Sequence, residues 1–179
     1  EEWAEREVKL TSMETGTATK RPLGDVMRER YAEITAMDRS IGTLRNALSD
    51  LGLRESTFLW YCGDNGAPPS AGRATALLRS EKGHMYEGGI RVPGVIEWPA
   101  KIEQPFASQV NSVTSDILPT LCNIAKIDLP ERPLDGISLL PLLEGKMKQR
   151  SEPIFFWAYP TKRLSQLKPP PQPYIKPEL

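Results

Sequence analysis

The residues best suited to chemistry lie between positions 63 and 94, directly after an apolar segment. The sequence GDNG places Asp64 beside Asn65. Their carboxylate and amide oxygens are hard donors, which suit Ca²⁺, or Mg²⁺, better than Zn²⁺. The alternative is a hairpin turn, because Asn-Gly is frequent there, although two prolines follow at once and cannot donate to a return strand. The spacing alone leaves the metal site and the turn both open.

Lys82 and His84 follow in a loop that leads to two adjacent glycines. A lysine can serve as a point charge for a sulfate or phosphate oxygen, and a histidine can donate a proton or a hydrogen bond. Both residues are therefore candidates for substrate binding, with a solvated lysine and a surface histidine as the alternative. Arg91, further along, could pair with Glu87 or with Asp64.

The elements that must position these residues indicate an α/β fold. Apolar residues recur at steps of three and four, which predicts an amphipathic helix packed on the core, starting at Asp25 and ending at Gly52. These apolar residues are Met27, Tyr31, Ile34, Met37, Ile41, Leu44, Leu48 and Leu51. The segment TFLWYC at 57–62 is apolar on both faces and predicts a strand buried within a parallel sheet. A long helix that leads into such a strand is half of an α/β unit.

The other segments are assigned from their composition and turn residues. They are a polar lead-in loop over 1–24, a strand over 94–98, a helix that opens at Ser115 or Asp116, a short helix over 138–145, a strand over 153–159 and a proline-rich extended tail over 160–179. Asp116 and Asp135 fit helix-start and turn geometry better than catalysis.

Composition excludes several classes of function. Lys plus Arg and Asp plus Glu both number 23 in the 179 residues, so no net charge attracts nucleic acid or an anionic membrane. No run of about eighteen apolar residues could span a bilayer. Cys62 and Cys122 lie inside apolar patterns, which favours buried thiols over a disulfide. The chain begins with neither an initiator methionine nor a signal-peptide pattern, so we expect it to start within a longer protein.

Four segments together carry a resemblance to a known family. YAEITAMDRSIGTLRNALSDLGLRESTFLWYCGDNG, LLRSEKGHMYEGGIRVPGVIEWPAKI, SVTSDILPTLCNIAKI and LDGISLLPLLEG resemble, in order and spacing over about residues 25–145, the second half of a sulfatase. More closely, they resemble the formylglycine-dependent arylsulfatases of the alkaline phosphatase-like superfamily. The resemblance implies a mostly parallel sheet flanked by helices, of which residues 25–159 supply a partial domain.

The resemblance also implies roles for single residues. Asp64 and Asn65 match the aspartate and asparagine that bind the active-site calcium in that family. Lys82 matches the lysine that contacts the substrate sulfate, which makes it the catalytic candidate of this chain. His84 has no family role and stays a weak candidate for substrate binding. Many relatives have a glycine-rich turn where this chain has residues 79–81. Glu81 could pair with Lys82 and lower its hold on an anion.

The nucleophile of the family has no match in this chain. Formylglycine is made from the first residue of Cys/Ser-x-Pro/Ala-x-Arg, and no cysteine or serine here begins that motif. We therefore expect formylglycine in a part of the protein outside this chain, where one hydroxyl of its hydrate would displace the alcohol and the other would expel sulfate. A cation that needs about six to eight oxygens would be under-coordinated by Asp64 and Asn65. The chain alone should bind metal weakly and turn over nothing.

Two alternatives to a sulfatase remain open. One is a phosphate or phosphonate ester hydrolase of the same superfamily, and the other is a non-catalytic remnant that serves as a binding or structural module. The expected substrate is a small-molecule or glycan sulfate ester, whose identity the sequence does not specify. The family suggests a periplasmic, secreted or lysosomal location, and neither the compartment nor the oligomeric state follows from the sequence.

Overall fold

The computed structural model of the chain describes residues 2–12, 15–68 and 78–156. Helices and strands are mixed along the chain, in agreement with the predicted α/β class. In chain order they are α1 (Glu2–Glu5), β1 (Glu7–Thr11), β2 (Ala18–Pro22), α2 (Leu23–Asp50), β3 (Leu59–Cys62), α3 (Glu87–Ile90), β4 (Gly94–Glu97), a 3-10 turn (Thr114–Asp116), α4 (Ile117–Ala125) and α5 (Leu140–Leu143).

The lead-in over 1–24 is not the loop that its polar composition predicted. β1 and β2 pair antiparallel, with Glu7 opposite Pro22 and Thr11 opposite Ala18. The half-buried side chains in β1 alternate with exposed ones, which is the period of a strand with one face covered. This pattern extends over five residues, and polar neighbours obscure it in the sequence.

The long helix α2 confirms the predicted periodicity and the predicted glycine at its end. It begins at Leu23, two residues before the predicted start, and Asp25 lies in its first turn, where a carboxylate favours the helix N-terminus. At the other end Gly52 has a φ of 68°. Its N–H donates to the Ser49 carbonyl at 3.0 Å, and the next N–H donates to Leu48 at 2.8 Å. These two bonds form a Schellman motif, which satisfies the last carbonyls of the helix.

The apolar face of α2 is present but is not the packed core that we predicted. Tyr31, Ile34, Met37 and Leu44, here called the α2 stripe, have exposed fractions of 58%, 54%, 41% and 46%. The described elements that pack against α2 are chiefly α1 and β2, at its N-terminal end. Periodicity identifies an apolar face, whereas burial depends on an element that covers it. Within the described ranges Tyr61 contacts Met37, and the stripe otherwise stays largely exposed.

The second sheet supports the candidate site. β3 is shorter than the predicted 57–62, and it pairs antiparallel with β4, with Leu59 opposite Glu97 and Cys62 opposite Gly94. A parallel partner for β3 is not found among the described residues. The chain returns to β4 through the loop of residues 63–93, and parallel pairing would need a crossover that brings the chain back to the same end of the sheet.

One carboxylate joins the end of α2 to β4. Glu97 accepts hydrogen bonds from Arg45 Nε at 2.6 Å and from Arg54 Nη2 at 2.8 Å. The hydrogen bond from Arg45, supported by Arg54 and opposed by partial burial, lowers the pKa of the Glu97 carboxyl below its ordinary value of 4.5. Beside this anchor, the rings of Phe58 and Trp98 meet edge to face with centroids 5.4 Å apart.

The segment around α4 is built on Asp116. Its carboxylate is fully buried, and it accepts hydrogen bonds from the N–H groups of Val113 and Ile137 at 2.9 and 2.8 Å. Arg150 donates to both carboxylate oxygens, at 2.7 and 2.8 Å. The prediction that Asp116 belongs to a helix start is confirmed, since α4 follows directly, and its carboxylate also holds two distant loops.

The remaining predictions have mixed outcomes. The short helix is confirmed as α5, and Gly145 follows it with a φ of 72°. The strand predicted over 153–159 is wrong for 153–156, which have no strand pairing, and the rings at 155 and 156 are exposed. Residues 157–159 and the tail over 160–179 lie outside the described ranges.

Cys62 and Cys122 form no disulfide, and both are half-buried. Across the described residues, no helix has the length and apolar character needed to cross a membrane.

Loss of the Glu97 anchor should change how stability depends on pH. A carboxyl whose pKa is lowered by folding stabilises the fold above its unfolded pKa, and this contribution disappears as the pH falls below about 4.5 through the folded value. Glu97→Gln should lower the free energy of unfolding at pH 7 by about 1 kcal/mol, and the difference from wild type should narrow in acid. Urea unfolding at several pH values measures this. Glu103→Gln, which removes an exposed carboxylate, is the control, and parallel pH curves for wild type and Glu97→Gln would contradict the assignment.

Candidate functional site

Asp64 and Asn65 lie immediately beyond the end of β3. The N–H of Gly63 donates to the Pro93 carbonyl at 3.2 Å, which continues the pairing of β3 with β4 by one residue and brings both ends of the intervening loop together. Asp64 is exposed and Asn65 is half-buried. Their side-chain oxygens accept no hydrogen bond from any residue in the described ranges, so they are free to bind a ligand from solution.

Lys82 is brought next to this segment by backbone hydrogen bonds. We call residues 63–66 the GDNG loop and residues 79–89 the lysine loop. The Lys82 N–H donates to the Ala67 carbonyl at 2.9 Å, and the Gly66 N–H donates to the Gly89 carbonyl at 2.9 Å. Two candidate regions that are distant in sequence are thus joined by their main chains, which was the expectation for a shared site.

Three glycines make this approach possible. A Cβ added at Gly66 would lie 1.8 Å from the Gly88 carbonyl oxygen. A Cβ at Gly88 would lie 2.0 Å from the Ser80 oxygen, and one at Gly89 would lie 2.0 Å from the His84 oxygen. No real Cβ atom fits at such distances. Gly66 therefore allows the GDNG loop to pack against the backbone of the lysine loop, and Gly88 and Gly89 allow the lysine loop to fold closely on itself.

The turn that carries Lys82 has an unusual backbone. Ser80 has a φ of 69° and Gly83 a φ of 92°, so left-handed residues lie on both sides of the lysine. A non-glycine residue in this region is uncommon and tends to occur at functional sites. Lys82 is exposed, and among the described residues no carboxylate forms an ion pair with it. The expected pairing of Glu81 with Lys82 is therefore not found in these ranges. His84 is exposed as well.

Sequence reasoning missed a contact between Arg79 and Tyr86. The Arg79 Cζ atom lies 3.7 Å from the centroid of the Tyr86 ring, which is a cation–π contact. The Gly88 N–H donates to the Arg79 carbonyl at 2.7 Å and holds the two ends of the lysine loop together. The available signal was an arginine and an aromatic residue on either side of the lysine. The expected pairing of Arg91 with Glu87 is confirmed at 3.4 Å, between two exposed side chains.

The site offers oxygen ligands for a cation and a lysine for an anion. The described residues supply only part of the oxygen ligands that the cation would need. Within the described ranges there is no group of three or more His, Cys, Asp or Glu side chains that could hold a metal ion. Asp64 and Asn65 offer two side-chain oxygen ligand groups, whereas Ca²⁺ takes about six to eight oxygens. The main chain of Lys82 is joined to the adjoining Ala67, so its side chain provides a positive charge from the neighbouring loop. Chemically, the described residues offer oxygen ligands for a cation and a lysine for an anion, and the sequence contains no Cys/Ser-x-Pro/Ala-x-Arg motif.

Comparison with known proteins gives a consistent result. The sulfatase family model matches residues 3–127. Human arylsulfatase A is 39% identical over 143 residues, and human steryl-sulfatase is 35% identical over 148 residues. Each of these two alignments covers 78% of this chain. The chain spans 27% of the length of the first relative and 25% of the second, which is about a quarter of each.

Solved structures resemble the chain at a similar level. The structure of BT4656 in complex with its substrate D-glucosamine-2-N,6-O-disulfate is 30% identical, with a TM-score of 0.56 over 66% of this chain and 23% of that one. The structure of Ps i-CgsB in complex with a neocarrahexaose is 29% identical, with a TM-score of 0.56 over 68% of this chain and 27% of that one.

A methyl group at Gly66 should separate the two loops. Gly66→Ala places a Cβ against the Gly88 carbonyl, and because overpacking of this kind is costly, we expect a loss of about 2 kcal/mol or more in the free energy of unfolding. Gly42→Ala is the matched control, because that glycine lies inside α2 with open space around it. The control should gain about 0.5–1 kcal/mol from helix propensity. Urea unfolding measures both variants, and equal effects would show that the loops are not in close contact.

Proposed function

The chain belongs to the sulfatase family, and on that premise we propose that it forms the part of a sulfuric ester hydrolase that holds calcium and the substrate sulfate. One observation supports the proposal: the Lys82 N–H donates to the Ala67 carbonyl and the Gly66 N–H donates to the Gly89 carbonyl, which joins the main chain of the lysine loop to the segment that follows Asp64 and Asn65. A cationic group and a cation site that face one anion suit a sulfate group, whose negative charge is spread over its oxygens.

Asp64 and Asn65 suit calcium because their side chains offer oxygen ligands and form no hydrogen bond or ion pair with the described residues. Both offer hard oxygens, and no described residue competes for them. When bound, calcium would supply positive charge against the sulfate oxygens, and Mg²⁺ is the alternative ion. The other ligands would come from parts of the protein outside this chain. In isolation the pair should therefore bind calcium weakly.

Lys82 would hold a sulfate oxygen and offset the negative charge that develops on it. Its ammonium is exposed, and no carboxylate of the described chain neutralises it. An ammonium placed in advance stabilises developing charge without reorganisation during the reaction. His84 is exposed in the same loop, and its proposed role is limited to a hydrogen bond to the substrate.

The attacking group would come from another part of the whole protein. No Cys/Ser-x-Pro/Ala-x-Arg motif occurs in the sequence, and the chain spans about a quarter of its relatives. Formylglycine would supply a hydrated aldehyde as the nucleophile. The exposed α2 stripe supports this division, since a further part of the fold would cover it. For the whole protein we propose a small-molecule or glycan sulfate ester as substrate and a periplasmic, secreted or lysosomal location.

Binding of inorganic sulfate tests the proposal directly. Calcium should increase the affinity of the chain for sulfate, as measured by NMR titration of its backbone amides. Lys82→Ala should weaken sulfate binding by about tenfold or more, because it removes a charge-assisted hydrogen bond. Asp64→Ala should abolish the calcium effect and leave the calcium-free affinity unchanged. Lys148→Ala, which removes another exposed lysine, is the control.

Three outcomes would contradict parts of the proposal. Tighter binding of inorganic phosphate than of sulfate at pH 8, where both are dianions, would favour a phosphate ester hydrolase. A folded chain that binds neither anion would favour a structural module. Hydrolysis of an aryl sulfate by the chain alone, lost in Asp64→Ala, would show that the nucleophile lies within this sequence.

A further inference from the structure

We propose that Arg79, stacked on Tyr86, binds a second sulfate group on the substrate, so that the enzyme favours disulfated sugars over monosulfated ones. This inference rests on the proposed function, because it places the second anion next to the sulfate held by Lys82. It identifies a class of substrate and a residue that would select it.

The geometry of Arg79 leaves its hydrogen-bonding edge available. The face of its guanidinium lies against the Tyr86 ring, with Cζ 3.7 Å from the centroid. Stacking occupies the face of the planar group and leaves its N–H groups free along the edge. In the described part of the chain, no carboxylate forms an ion pair with Arg79, and the residue is exposed. Such an edge matches the paired oxygens of a sulfate.

The position of Arg79 fits a second group on the same sugar. Its carbonyl accepts the Gly88 N–H at 2.7 Å, and the Gly89 carbonyl accepts the Gly66 N–H at 2.9 Å. Arg79 and Lys82 lie three residues apart in the lysine loop, and the Lys82 N–H donates to the Ala67 carbonyl at 2.9 Å. The loop that carries Arg79 is therefore the loop that is joined to the segment of Asp64 and Asn65. A second anionic group on the same sugar would meet Arg79 while Lys82 holds the first.

Neighbouring carboxylates do not cancel the charge of Arg79. Glu87 pairs with Arg91 at 3.4 Å. Glu81, next to Lys82 in sequence, forms no ion pair with a described residue. The lysine loop therefore presents two cationic side chains, Arg79 and Lys82, without an internal counter-ion in the described ranges. Two separated cations select a ligand with two separated anions, because each unpaired anion or cation would otherwise lose hydration without compensation.

The experiment compares two ligands, of which one has a second sulfate and the other a neutral amide at the same position. The full chain, in saturating calcium, is titrated with N-acetylglucosamine 6-sulfate and with glucosamine 2-N,6-O-disulfate, and the Kd for each is measured from backbone amide shifts. We expect the disulfate to bind about tenfold more tightly, which is the value of one added charge-assisted contact. Arg79→Ala should remove this ratio and leave the Kd for the monosulfate unchanged.

Further variants separate anion binding from support of the loop. Arg79→Lys should keep part of the ratio, because the charge remains and the two-pronged edge is lost. Tyr86→Leu should reduce the ratio, because the ring no longer orients the guanidinium. Arg132→Ala, which removes another exposed arginine, should leave both Kd values unchanged. The amide spectrum of residues far from the loop shows whether each variant is folded.

The outcomes distinguish this inference from the proposed function. If wild type binds both ligands equally, or if Arg79→Ala weakens both by the same factor, Arg79 does not select a second sulfate and the inference is overturned while the sulfate site stands. If wild type binds neither ligand, both proposals fail. Lys82→Ala, which should weaken both ligands together, reports on the sulfate site alone.

Discussion

The candidate site depends on the close approach of Gly66 to Gly88 and Gly89. A side chain at Gly66 would collide with the Gly88 carbonyl oxygen at 1.8 Å, and the Gly66 N–H donates to Gly89 across this contact. Side chains at Gly88 and Gly89 would collide with the Ser80 and His84 oxygens, so these two glycines set the shape of the lysine loop. The chemistry of Asp64 and Lys82 thus follows from positions that carry no chemistry themselves. Glycine loses more conformational entropy on folding than any other residue, and here that loss accompanies the close approach of the two loops.

The rest of the described fold keeps those loops in register. The pairing of β3 with β4 brings residues 63 and 93 together, so the chain between them closes as a loop on one end of a strand pair. At the far end, Arg45 and Arg54 hold Glu97 and fix β4 to α2. A slip of one residue between the strands would reverse every side chain and carry the glycines out of contact. The anchor therefore acts on the site through register.

Sequence predicted best what is encoded locally. The period of α2 and the left-handed Gly52 follow from neighbouring residues, and both are confirmed. Residue types identified Asp64 and Lys82 as candidates, but a turn and a solvated lysine stayed possible because no local pattern shows which loops meet. The resemblance to sulfatases was needed to assign both residues to one site. The contact of Arg79 with Tyr86 escaped prediction because it crosses a turn with a left-handed serine, which propensity does not anticipate. Burial of the α2 stripe failed for a similar reason, since covering a face needs a distant partner.

Two parts of the chain differ in how complete they are. Around Asp116, a buried carboxylate finds four donors within the described residues, from Val113, Ile137 and Arg150, so its charge is compensated locally. Around β3 the packing is incomplete. The side chains of the α2 stripe are largely exposed, and the Tyr61 hydroxyl contacts the Met37 sulfur at 3.8 Å. The oxygens with an incomplete cation shell lie at the end of that same strand. A part of the whole protein that both covered the stripe and supplied the missing oxygens would link the packing of this face to metal binding in free energy.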